Sequence, residues 1–88
     1  VDRRNANFPP EIKHRLDYYK ALIALNKIIY GGNPRPEMAL ALQNLGTTYW
    51  NLGDETKSIS YLEKSLKMYQ LLHGDTPLPE IAMILSIL

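Results

Sequence analysis

The residues able to do chemistry are few, and their spacing gives them structural work. His14 lies between Lys13 and Arg15, and His73 closes a helical stretch, where a cation complements the helix dipole. Neither has a partner in view for zinc binding or acid–base catalysis. Ser58, Ser60 and Ser65 share one stretch with no adjacent base, so no activated nucleophile is expected. Glu11, Glu37 and Glu80 open helical stretches, where carboxylates suit the N-terminal dipole. Glu63 and Lys67 are spaced as an i,i+4 surface pair. Gly31-Gly32-Asn33-Pro34 lacks the spacing, the lysine and the preceding strand of a phosphate loop. There is no cysteine, which excludes disulfides, thiolate zinc sites and cysteine nucleophiles. The expectation is a non-enzyme that uses no cofactor and no metal.

Two basic clusters, Arg3-Arg4 and Lys13-His14-Arg15, lie near Tyr18 and Tyr19. Asp2, Glu11 and Asp17 dilute them, and the 88-residue chain carries a net charge of only +1. Nucleic acid is therefore not an expected partner. The longest apolar stretch, Ile81 to Leu88, falls far short of the ~20 residues a membrane span needs, so no membrane partner is expected either. With no signal peptide and no Asn-x-Ser/Thr site, a cytoplasmic setting is the expectation. The chain begins without Met and ends inside an apolar pattern, which reads as a fragment.

Behind these residues stands a helical periodicity. Apolar side chains recur in steps of three and four at Ile12, Leu16, Tyr19 and Ile23. The same steps run through Met38, Leu42, Leu45, Tyr49 and Leu52, and through Ile59, Leu62, Leu66 and Tyr69. Each set is one stripe along a helix. No β-branched alternation argues for strands. Gly31-Gly32, Gly53-Asp54 and Gly74 stop the helices, while Pro10, Pro36 and Pro79 suit first turns. Helices are expected over about 10–30, 36–52, 55–73 and 79–88, with loops short enough for antiparallel packing. The segment Pro34 to Leu42 aligns with Pro77 to Leu85, both prolines, the glutamate and an alanine recurring at an offset of 43 residues. This is an internal repeat.

The run Leu42-Gln43-Asn44-Leu45-Gly46-Thr47-Thr48-Tyr49-Trp50-Asn51-Leu52-Gly53-Asp54 resembles the first helix and turn of a tetratricopeptide repeat. Ser58, Leu62 and Ser65 stand at the small, large and small positions of the second helix. The family's terminal proline would fall at Gln70, but prolines come only at Pro77 and Pro79. With Pro36 to Leu42 ahead of it, this resembles the longer repeat variant of kinesin light chains and nephrocystin-like proteins. The resemblance implies an all-α, right-handed solenoid of helical hairpins. Residues 1–9 are an extension, 10–31 a second-type helix of a preceding repeat, 36–74 one complete repeat, and 79–88 a truncated first helix of the next. Gly46 costs about 1 kcal/mol mid-helix relative to Ala, and close helix approach opposite Ser58 and Ser65 is the expected compensation.

The resemblance also implies a protein-interaction scaffold, in which first helices line a groove for a peptide or partner helix. The face left over by the apolar stripe holds Leu40, Gln43, Asn44, Thr47, Trp50 and Asn51. Asn and Gln can pair with a peptide backbone, and Trp50 offers a large contact. Gln43, Asn44, Thr47, Trp50 and Asn51 are therefore the groove candidates. The family's carboxylate clamp needs Lys or Arg on this face, where Gln43 and Thr47 stand instead, so that subtype is disfavoured. Helix 79–88 is expected to leave Ile81, Ile84, Leu85, Ile87 and Leu88 uncovered. Of these, Ile81, Ile84, Leu85 and Leu88 are the candidates for self-association as a homodimer or a head-to-tail oligomer. An alternative role is a regulatory, sensor or oligomerisation repeat segment of a larger NTPase-type signalling protein.

Overall fold

A computed structural model describes residues 10–74 and 76–88; the 1–9 extension, with Arg3-Arg4, lies outside the described residues. Four helices follow one another among them: α1 (Pro10–Tyr30), α2 (Pro36–Asn51), α3 (Glu55–His73) and α4 (Pro79–Ile87). The ends agree with the expected ones to within a residue, because the punctuation is chemical. Pro36 and Pro79 occupy first turns, where a missing N–H is no loss. Gly53 turns the chain between α2 and α3 at φ 82°, a value that a side chain would oppose. The Asp54 carboxylate then accepts the Lys57 backbone N–H at 3.2 Å and caps α3. Glu11, Glu37, Glu55 and Glu80 lie in first turns, as the dipole favours.

Helix α2 is the centre of the molecule. Its stripe Met38, Leu42, Leu45 and Tyr49 packs with Leu16 and Ile23 of α1 to form one core cluster, against which Tyr61 and Met68 of α3 also pack. A second cluster joins Ala39 of α2, Leu62 and Tyr69 of α3, and Ile84 of α4. Tyr49 and Tyr61 stack with centroids 5.7 Å apart and planes 7° from parallel. Lys20 and Lys57 stand over the Tyr49 ring at 5.8 and 5.3 Å, so two exposed cations seal that end of the core.

Helices α2 and α3 approach each other closely at Gly46. A Cβ on Gly46 would come 2.6 Å from Leu62 Cγ and 3.2 Å from the Leu62 backbone nitrogen. The glycine thus makes room for Leu62, whose atoms are its nearest neighbours. The serines do other work. Ser65, fully buried, donates to the Ala39 carbonyl at 2.7 Å and ties α3 to α2. Ser58 is equally buried, and its hydroxyl has no partner. The i,i+4 pair Glu63–Lys67 does not form an ion pair; the ion pairs among the described residues are Arg35–Glu37 and Lys57–Asp54.

Candidate protein-interaction surface

Three helices pack around α2, and they determine which of its residues reach solvent. Nine of its sixteen residues are buried. What remains open is a stripe in steps of three and four: Glu37, Leu40, Asn44, Thr47 and Asn51, with Trp50 beside its end. Leu40, Trp50 and Asn51 are exposed, and Trp50 shows 40% of its surface. Asn44 and Thr47 are half-buried between them. The Asn44 carbonyl accepts from the Thr48 hydroxyl at 2.7 Å, while the Thr47 hydroxyl is buried without a partner. Side-chain amides and an indole flanked by leucine can pair with a backbone and cover an apolar side chain at once.

Gln43 does not belong to this stripe. It is 3% exposed and turned toward α3 and α4. The Tyr69 hydroxyl donates to Gln43 Oε1 at 3.0 Å, and the Gln43 amide nitrogen lies 3.9 Å from the Met83 sulfur. The reason is angular: residues 39, 43 and 46 form the side of α2 that α3 and α4 cover. Nothing in the spacing distinguishes that side from the open one until α4 is placed.

Helix α4 is also only partly as expected. Ile84 faces inward and is fully covered by Leu62 and Tyr69, so it is a core residue of the second cluster. Ile81 and Ile87 are half-buried against the same cluster. Leu85 and Leu88 remain exposed, with Met83. Helix α1 has an open apolar face of its own, formed by Tyr18, Leu25 and Ile28.

The Gln43–Tyr69 bond makes a testable statement about pH. Burial, reinforced by the Glu80 carboxylate, holds the Tyr69 hydroxyl above its usual value of 10.0. Above about pH 10 the unfolded chain therefore releases this proton before the folded chain does, and stability falls as pH rises through the folded value. Lys20 is raised from 10.5 by its hydrogen bond to Tyr49, against the opposing effect of desolvation, and contributes with the same sign in the same range. Tyr69→Phe is expected to make urea stability fall less steeply on the alkaline side. Near neutral pH it should cost about 1–3 kcal/mol, since Gln43 Oε1 is left buried and unpaired. An unchanged alkaline slope would rule out Tyr69 as its source.

The fold is thus a set of helical hairpins packed around α2. Among the described residues no group of three or more His, Asp or Glu side chains is placed to hold a metal, and no helix is long and apolar enough to cross a membrane. Residues 39–70 match the family model of the tetratricopeptide repeat. That segment, Ala39 to Gln70, has the helix–turn–helix of a tetratricopeptide repeat, and repeats of this family generally mediate protein–protein contacts. No curated protein and no solved structure matches the chain.

Proposed function

We propose that the open stripe of α2 is a contact surface for an extended peptide or partner helix, with Asn44, Thr47, Trp50 and Asn51 as its recognition residues. The observation that carries this reading is the exposure of Trp50 on a helix otherwise buried on most of its circumference. Tryptophan is among the residues enriched at the energetic hot spots of protein interfaces. Gln43, buried against Tyr69 on the covered side of α2, is not one of the recognition residues. Peptides selected from a random displayed library against the whole chain provide the test. Trp50→Ala is expected to weaken the selected peptides by about tenfold or more, and Asn44→Ala several-fold. Peptides indifferent to both substitutions would overturn the assignment.

The same reading includes self-association through the end helices. Leu85 and Leu88 of α4 are exposed, as are Tyr18, Leu25 and Ile28 of α1, and two such apolar faces on one molecule favour a head-to-tail contact between copies. Leu85→Ser with Leu88→Ser should lower the mass measured by light scattering at high concentration. A mass unchanged by the pair would remove these residues from any such contact.

A further inference from the structure

A second surface lies away from the open stripe of α2, where the C-terminal end of α1, the loop to α2 and the second half of α3 enclose a cleft of about 320 Å³. Its floor is apolar, built by Ile23 of α1, Met38 and Leu42 of α2, and Met68 of α3. Four cations line it: Lys27, Arg35, Lys64 and Lys67. No aspartate or glutamate is among the lining residues. On a chain of net charge +1, this is a local concentration of positive charge around an apolar hollow.

The cleft also holds two of the four buried side-chain polar atoms that have no hydrogen-bond partner among the described residues. Asn26, 7% exposed, donates through Nδ2 to the Leu22 carbonyl at 2.9 Å, but its Oδ1 has no donor. Arg35 lies with its guanidinium carbon 3.6 Å from the Tyr30 ring centroid, and one of its terminal nitrogens pairs with Glu37 at 3.3 Å. Its Nε–H is buried and has no acceptor. Two residues of the lining thus carry a buried polar atom without a partner, where buried polar groups are ordinarily paired. Lys64 Nζ is 5.5 Å from the Tyr61 ring centroid, at the cleft's edge.

We propose that this cleft is a second binding site, which seats an acidic peptide segment carrying a large apolar side chain. The apolar side chain lies on Met38, Leu42 and Met68, and carboxylates meet Lys64, Lys67, Lys27 and Arg35. The volume is at the lower end of the ~300–1,000 Å³ typical of ligand pockets, which suits an anchoring side chain better than a whole cofactor. Charge complementarity selects the acidic partner. Four cations spread around the hollow favour a peptide with several carboxylates over a fatty acid, which carries one.

The test uses the whole chain and a capped, fluorescent peptide of alternating leucine and glutamate, followed by polarisation and by amide chemical shifts. Shifts should cluster at Asn26, Lys27, Lys64, Lys67 and Leu71. The affinity should fall with salt. Lys64→Glu with Lys67→Glu, both on the surface, should weaken binding by about tenfold. Leu71→Ser, an exposed residue of the lining, should weaken it several-fold with circular dichroism unchanged. Equal binding of the same peptide with lysine for glutamate would overturn the charge argument. Stronger perturbation of the cleft by oleate than by the peptide would make it a lipid site instead. Shifts confined to Leu40, Asn44 and Trp50 would overturn the cleft while supporting the open stripe, and no shift anywhere would overturn the cleft alone.

Discussion

Gly46→Ala is expected to destabilise the protein by about 2–4 kcal/mol, although the same substitution in an open helix stabilises by about 1 kcal/mol. The sign reverses because the new methyl would lie 2.6 Å from Leu62 Cγ and 2.8 Å from Leu62 Cδ2. Cγ is not the far end of a flexible side chain, and the Leu62 backbone nitrogen is itself 3.2 Å away. Rotamer changes alone cannot relieve the contact, so α2 and α3 must separate. That loosens both core clusters, because Leu45 and Leu62, both fully buried, lie along this seam. A domain of this size has on the order of 4–13 kcal/mol in total, and the melting temperature should drop by about 10–25 °C. Leu62→Ala alone should cost about 2–5 kcal/mol by leaving a cavity. In the double variant the alanine methyl at 46 enters that cavity, so the two losses should sum to more than the combined loss, by about 1 kcal/mol or more. A melting temperature raised by Gly46→Ala would show that the helices do not approach this closely.

Ile84→Ala is expected to release α4 while leaving the repeat folded. Helix α4 has nine residues, too few to hold together in water without packing. Ile84 is its one buried residue, and it bridges to Leu62 and Tyr69. The loss of about 2–5 kcal/mol for such a truncation exceeds what the half-buried Ile81, Ile87 and Leu78 can hold in place. Hydrogen exchange should therefore show α4 amides losing protection, while those of α2 and α3 keep theirs. Leu85→Ala, on the exposed side of the same helix, should change stability by no more than about 0.5 kcal/mol. If α2 and α3 lost protection together with α4, then α4 would belong to the single cooperative unit rather than docking onto it.

The two substitutions also show where sequence reading reaches its range. Gly46 stands out within the chain, since a mid-helix glycine requires a reason, and close approach is the general one. That the nearest neighbour is Leu62 depends on how α3 is rotated about its axis. Ile84 was legible as apolar and helical but not as inward-facing. Helix α4 is apolar around most of its circumference, and such a pattern does not select a face. Gln43 shows the opposite failure: a polar residue taken for solvent because its type is usually exposed, yet buried because a tyrosine hydroxyl meets it. The cleft beside Asn26 was invisible for another reason. Lys27, Arg35 and the pair Lys64 and Lys67 come from α1, the loop after it and α3, and along the chain these three places lie apart.

By itself the sequence determined the helices, their ends and the repeat between them. These are local properties, governed by apolar spacing along one helix and by the backbone limits of proline and glycine. Only the tertiary structure decided which faces were covered. Packing around α2 buries Gln43, turns Ile84 inward, leaves Trp50 in solvent and gathers four cations around one hollow, because burial depends on the helices that lie alongside, and no single helix carries that information.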